Sequence, residues 1–251
     1  MPVKLSLIIP VYNEPIRLIP GLNTVLAYLI KCPYRWELIL VDDGSDRPVT
    51  SLLKQAQKDQ TLRFKLAKLP VSLYRLSRNQ GKGAAIRKGV EQAQGEYLVF
   101  TDIDLSVPIT TLSLLLKELP RYPVVIASRR LSGSRIAVHQ SRAREFLGDI
   151  FTKLSNLICA TGVSDVTCGF KGFRRVIAKK LFALSRINRW VFDSEILFLA
   201  QKNKLKIQEL PATWTNQRGS KVRFSDVFTS LFELVKIRWY DWVGAYAKLS
   251  L

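Results

Sequence analysis

Asp102 and Asp104 stand one residue apart, separated by Ile103, directly after the apolar run Tyr97-Leu98-Val99-Phe100. Two carboxylates so spaced on a turn can point to one side and share a divalent cation. Hard Mg²⁺ or Mn²⁺ takes a few carboxylate oxygens together with phosphate oxygens. A departing diphosphate needs that neutralisation, because negative charge builds on it as its bond breaks. D-x-D spacings arise by chance in many surface loops, so the weight rests on position. Asp42-Asp43-Gly44-Ser45 closes another apolar run, and Tyr12-Asn13-Glu14 follows a third. Asn79-Gln80-Gly81-Lys82-Gly83 places a lysine between glycines ahead of a helix-like stretch. Backbone N–H groups at a helix start, with an ammonium beside them, suit phosphate. The spacing is not that of a Walker loop, and a turn with a helix cap accounts for the segment equally well.

These clusters need elements that bring them together. Short apolar runs at 5–11, 37–41, 71–76, 97–100 and 124–127 read as buried strands. Between them, helical spacing runs through 16–29, 48–58 (with Pro48 at its start) and 83–94. Nearly all-apolar strands alternating with helices predict a mostly parallel sheet covered on both faces, a doubly layered α/β fold. Ligands of such folds bind outside the carboxyl ends of the strands, where all three acidic clusters fall. In the second half, 144–158, 176–184 and 194–202 read as helices and 207–210 as a short strand before Pro211. Residues 224–247 read as an amphipathic helical segment carrying Phe228, Leu231, Trp239 and Trp242 with Lys236 and Arg238 interleaved. No repeat or flexible linker separates the halves, so residues 1–222 are expected as one catalytic domain and 223–251 as a C-terminal segment suited to a membrane surface.

Composition narrows the classes. A 251-residue chain with 47% hydrophobic and 24% charged residues has the make-up of a globular domain. It contains no run of about 20 apolar residues that would cross a bilayer. Residues 1–5 lead straight into a strand without a signal-peptide layout, which predicts a cytosolic compartment. Cys32, Cys159 and Cys168 match no zinc spacing, and His139 is the sole histidine. Hydrolase triads built on a Ser/His or Cys/His pair are therefore disfavoured. The outlier is charge: 39 Lys and Arg against 20 Asp and Glu, a formal +19. Such an excess draws polyanions, whether nucleic acid, an anionic membrane face or phosphorylated substrates. A nucleic-acid binder would lack any reader motif and leave the strand-end carboxylates unexplained, so no nucleic-acid partner is expected. An idle sugar-nucleotide-binding module is a further reading, and an intact D-x-D argues against it.

Ile9-Pro10-Val11-Tyr12-Asn13-Glu14, Val41-Asp42-Asp43-Gly44-Ser45, Asn79-x-Gly-Lys-Gly and Thr101-Asp102-Ile103-Asp104-Leu105-Ser106 resemble, in that order, the motifs of family 2 inverting glycosyltransferases, which have the GT-A fold. Asp165-Val166-Thr167-Cys168-Gly169-Phe170-Lys171-Gly172-Phe173, Arg189-Trp190-Val191-Phe192-Asp193-Ser194-Glu195 and Trp214-x-x-x-x-Gly219-Ser220-Lys221 look like dolichyl-phosphate β-glucosyltransferases, and also their relatives, the polyprenyl-phosphate glycosyltransferases and dolichol-phosphate mannose synthases. The resemblance spans residues 5–247.

It implies that Pro10, Tyr12, Glu14, Val41 and Asp43 hold the nucleotide, joined by Lys82, Ile103 and Asp193 around the sugar diphosphate. Asp102 and Asp104 would bind Mg²⁺ or Mn²⁺. Arg129, Arg144 and Lys221 would receive the acceptor phosphate, although in so basic a chain each alone reads as surface charge. The implied partners are UDP-glucose or GDP-mannose, a polyprenyl or dolichyl phosphate, and an anionic membrane surface on its cytoplasmic face. Inversion from an α-linked donor to a β-linked lipid phosphate is implied too. A polysaccharide acceptor is the alternative. Such relatives carry Q-x-x-R-W, and here Arg186-Ile187-Asn188-Arg189-Trp190 lacks the glutamine. Two further departures are Ile103 in place of a common alanine and an end near Leu251 without the membrane helices of many relatives.

Overall fold

The computed structural model describes residues 2–159, 161–217 and 225–246, without the side chains of residues 142–144 and 225–228. Three strands form the heart of the sheet: β1 (Leu5–Val11), β2 (Trp36–Asp42) and β4 (Tyr97–Phe100). Almost every residue of each is buried, because helices cover both faces. β1 pairs in parallel with both β2 and β4, and β2 pairs in parallel with β3 (Val71–Arg75). Their carboxyl ends therefore lie side by side on one rim, as the sequence predicts.

The helices follow the apolar spacing. α1 (Leu18–Leu29) buries Leu18, Leu22, Val25, Leu26 and Leu29 along one stripe. α2 (Val49–Lys58) starts after Pro48, and α3 (Lys82–Gln92) starts at the lysine of the glycine-flanked segment. One core cluster gathers Leu7, Ile9, Leu22, Leu40 and Val99. On the other face of the sheet a second gathers Ile8, Ile39, Ile86, Phe100, Phe173 and Phe192.

Beyond β4 the structure has the strands expected at 124–127 and 207–210, and adds a helix and three strands that the apolar pattern does not mark. α4 (Thr111–Glu118) precedes β5 (Val124–Ser128), and β7 (Lys171–Arg174) inserts antiparallel between β4 and β5. β8 (Ile207–Pro211) closes the seven-stranded sheet parallel to β5, giving the order β3-β2-β1-β4-β7-β5-β8. A separate parallel pair joins β6 (Arg135–Val138) to β9 (Thr213–Thr215). Because β7 runs backwards, its first residue, Lys171, pairs with Phe100, the last residue of β4. The segment entering β7 thus arrives on the acidic rim. The helical portion consists of α5 (Arg142–Cys159), α6 (Arg175–Leu184), α7 (Phe192–Lys202) and α8 (Ser225–Trp242).

Candidate active site

The rim is tied together by side chains whose groups are matched across loops. Asn13 sits at φ 48°, a left-handed conformation that asparagine tolerates better than most residues. Its side chain exchanges hydrogen bonds with Asp46, donating to Oδ2 at 2.9 Å and accepting the Asp46 N–H at 2.9 Å. That pair clamps the loop after β1 to the loop after β2. Asp42, buried at the end of β2, accepts the Ser45 and Val49 N–H groups and pairs with Arg75 at 2.8 Å. Asp43 is buried and accepts from Asn79 Nδ2 (3.0 Å) and the Gln80 and Gly81 N–H groups (2.8 and 2.9 Å). Burial raises its pKa, with those N–H donors working in the opposite direction. Asp43 thereby fastens the glycine loop to β2. Gly44, at φ 67°, is required there, since a Cβ would lie 2.3 Å from the Arg78 carbonyl carbon.

On this frame Lys82, the first residue of α3, places Nζ 2.6 Å from Asp102 Oδ1. Burial works to lower the lysine pKa, yet Asp102 and Asp193 leave it raised, so the ammonium stays charged. Asp104 accepts the Ser106 N–H at 3.0 Å and lies 3.8 Å from Arg17, which in turn grips Glu14 through two 2.6 Å bonds. Burial and repulsion from Asp102 raise the Asp104 pKa. Leu105 follows at φ 51°, backbone strain of the kind that collects at functional turns.

The segment entering β7 supplies the floor. A Cβ on Gly169 would lie 2.2 Å from Asp102 Oδ2, so any larger residue there would displace that carboxylate. Lys171 is fully buried, and its ammonium donates to Asp193 Oδ1 and the Cys168 carbonyl, both at 2.6 Å, above the Phe100 ring. Lysine 171 and glycine 169 carry no role in the sequence reading, although the motif containing them is conspicuous; a lysine reads as solvent-exposed unless its partner is known.

Arg129, after β5, is taken up by the fully buried Asp165. Its N–H and Nε meet Oδ2 at 2.9 and 2.7 Å, and Nη2 meets Oδ1 at 2.8 Å and Thr167 at 2.7 Å. Arg130 reaches the same carboxylate at 3.1 Å and also Asp149 and Thr152. Burial disfavours both charges, but the contact outweighs it, holding Asp165 far below and Arg129 above the usual range. Two guanidinium groups thus share one buried carboxylate, with Asp149 as the second anion of the group.

The remaining candidates fall as follows. Pro10, Tyr12 and Glu14 line the end of β1, partly exposed. The side chains of Val41 and Ile103 are packed in the core, at 0% and 4% exposure. They alternate inward from the rim, leaving main-chain groups as what a nucleotide could touch. Asp193 is buried against Lys171 rather than open to solvent. Arg144 lies at the start of α5 with its side chain outside the described residues, and Lys221 lies outside them altogether. His139 is exposed and meets Glu145 at 2.9 Å, away from any metal-binding cluster among the described residues. Burial pushes the thiols of Cys159 and Cys168 up to about 12 and about 11, consistent with inert packing residues.

The acidic pair fits a hard divalent ion that completes its shell from substrate. Among the described residues no third His, Cys, Asp or Glu joins it. Two carboxylates alone suit Mg²⁺ or Mn²⁺ bound together with phosphate oxygens, not a closed all-protein cage. The pair already gathers cations, with Lys82 on Asp102 and Arg17 near Asp104.

Residues 6–182 match glycosyl transferase family 2. The chain belongs to that family. As a family 2 glycosyltransferase it is an enzyme, and its sheet is that of the GT-A fold. Among curated relatives, the dolichyl-phosphate beta-glucosyltransferase of Trichomonas vaginalis is 32% identical, covering 94% of this chain and 73% of its own. The Saccharomyces cerevisiae dolichyl-phosphate beta-glucosyltransferase is 31% identical over 97% and 77%, and the Drosophila melanogaster protein 35% over 88% and 69%. Of solved structures, mannosyl-3-phosphoglycerate synthase from Rubrobacter xylanophilus superposes with a TM-score of 0.66 at 16% identity, covering 99% of this chain and 77% of its own. Glucosyl-3-phosphoglycerate synthase from Mycobacterium tuberculosis, solved with Mn²⁺, UDP and glucosyl-3-phosphoglycerate, gives 0.64 at 14% identity, covering 99% and 81%.

Proposed function

We propose that this family 2 glycosyltransferase moves glucose from UDP-glucose to dolichyl phosphate, inverting the anomeric carbon. The observation that carries the reading is its near full-length likeness to dolichyl-phosphate beta-glucosyltransferases at 30–35% identity. The rim geometry supplies a matching chemistry. A phosphate oxygen of the acceptor forms the new bond to the anomeric carbon while the bond to the diphosphate breaks and UDP departs with the electron pair. A phosphate monoester is largely ionised near neutral pH, so no strong side-chain base is needed.

Asp102 and Asp104 would hold Mg²⁺ or Mn²⁺, which when bound supplies Lewis-acid neutralisation of the diphosphate. Lys82, charged and already on the rim, adds a second positive group toward that leaving group. Pro10, Tyr12, Glu14 and Asp43, with the main chain at Val41, are the proposed nucleotide contacts. Arg129, steadied by Asp165, together with Arg144 and Lys221, is the proposed seat of the acceptor phosphate. Asp193, held by Lys171, would shape the sugar side of the pocket. A lipid acceptor would place the enzyme at a bilayer, on its cytoplasmic face, with residues 223–251 as its contact segment.

The test offers labelled UDP-glucose or GDP-mannose with dolichyl phosphate and Mg²⁺ or Mn²⁺, and follows label into the organic phase. Glucose label alone, in a β-linked product, is the expected result. Mannose label instead would move the reading to mannosyl transfer, and label from neither donor would sink it.

A further inference from the structure

α5 and α8 pack against each other, joined where Cys159 Sγ meets the Leu234 carbonyl at 3.9 Å. Each buries one side. α5 turns Thr152, Ser155 and Cys159 inward, and α8 turns Ser230, Leu234 and Ile237 inward. The outer sides carry large apolar residues. Phe146, Ile150 and Leu157 stand exposed at helical spacing on α5, Phe146 at 64% and Leu157 at 80%. Phe232, Val235, Trp239 and Trp242 do the same on α8, with Phe232 at 62% and Trp242 at 85%. Large apolar side chains recurring along the outer side of two neighbouring helices are not scattered surface residues, and a patch of this kind marks an interaction surface.

We infer that α5 and α8 together form one docking face for an anionic lipid bilayer, lying in its interface with their exposed stripes inserted. This rests on the reading of a lipid-phosphate acceptor, and it extends contact from the C-terminal segment to α5. Charge selects the partner. The chain carries a formal +19, and Lys153 and Lys236 lie within the two stripes, the Lys236 ammonium 4.8 Å from the Phe232 ring. Of the acids whose side chains are described on these helices, Glu145 is hydrogen-bonded to His139, and Asp149 and Asp241 are paired with Arg130 and Lys202. Glu233 is partly buried. Tryptophan beside lysine is the composition that settles at headgroup depth. Among the described residues no helix is long and apolar enough to cross a membrane. Arg130 links α5 to Asp165 and so to Arg129, so seating α5 on the bilayer sets these two arginines beside the headgroups.

Flotation with phosphatidylcholine vesicles containing about a third phosphatidylserine tests the face. The full chain should float with these vesicles and much less with pure phosphatidylcholine. Leu157→Glu and Trp242→Glu should each lower the vesicle-bound fraction about tenfold, while Val176→Glu, at an exposed apolar residue of α6, should leave it unchanged. Thermal melts check that all variants remain folded. A wild type that stays at the bottom of the gradient would overturn the inference. So would an equal loss in Val176→Glu, or a stable dimer by light scattering that Trp242→Glu splits into monomers. A parallel assay with a short, water-soluble isoprenyl phosphate and no vesicles separates this from the catalytic reading. Transfer without flotation removes the docking face alone, and flotation without transfer removes the acceptor assignment alone.

Discussion

The buried ammonium of Lys171 meets the Asp193 carboxylate at 2.6 Å beneath the rim that carries Asp102. It is an ion pair that joins the start of β7 to the first turn of α7, and its remaining bond, to the Cys168 carbonyl, fixes the chain beside Gly169. Removing one partner strands a charge in the core. Lys171→Met should therefore cost about 3–5 kcal/mol, and adding Asp193→Leu should restore part of it. Chemical denaturation of the two variants measures both. A single variant as stable as wild type would show that the pair does not hold the floor of the site.

Asp102 and Asp104 should be separable from that scaffold. Asp104→Asn removes a carboxylate whose pKa is raised by burial and by Asp102, so it relieves repulsion rather than breaking a support. The expected outcome is unchanged or higher thermal stability without metal, together with a loss of about 10²–10³ in kcat. Isothermal titration should show UDP binding that no longer responds to Mn²⁺. Nucleotide binding that strengthens with Mn²⁺ as in wild type would remove Asp104 from the metal.

Asp43 gives a third, more local outcome. Its carboxylate takes three donors from residues 79–81. Asp43→Ala leaves the Gln80 and Gly81 N–H groups without that acceptor and loosens the start of α3, where Lys82 stands. A stability loss of about 1–3 kcal/mol is expected, with KM for the nucleotide sugar rising more than kcat falls. Steady-state kinetics at several donor concentrations read the split.

The sequence makes part of this architecture legible for a physical reason. β1, β2 and β4 are buried on both faces, so their runs are apolar throughout and their ends are marked by the first carboxylates. Asp42, Asp43, Asp102 and Asp104 are found that way. β7 escapes notice because four residues, two of them Lys171 and Arg174, carry no apolar period. Its antiparallel course is what brings Gly169 against Asp102, and no local pattern states that course. Val41 and Ile103 belong to motifs whose neighbours face the rim, while their own side chains turn into the core. Arg129 and Asp165 are 36 residues apart in sequence, so nothing short of the fold pairs them, and Lys171 reads as a surface lysine until Asp193 is seen beside it.

That long-range pairing of Asp165 also fixes how stability responds to acid. Asp165 is fully buried, and although burial opposes its charge, Arg129 holds its pKa well below the ordinary 3.8. A depressed folded-state pKa means that the unfolded chain takes up the proton first. The stabilisation from this carboxylate is therefore complete above pH 3.8 and drains away as pH falls below it toward the folded value. Asp165→Asn leaves two guanidinium groups facing a neutral amide and should destabilise the enzyme by about 3–5 kcal/mol at neutral pH. Its unfolding free energy should then change less than that of wild type between about pH 4 and pH 2, because the group that titrates there is gone. Urea denaturation across that range compares the slopes. Equal slopes would mean that Asp165 does not carry the charge that gathers Arg129 and Arg130, and the cationic cluster proposed for the acceptor phosphate would need a different anchor.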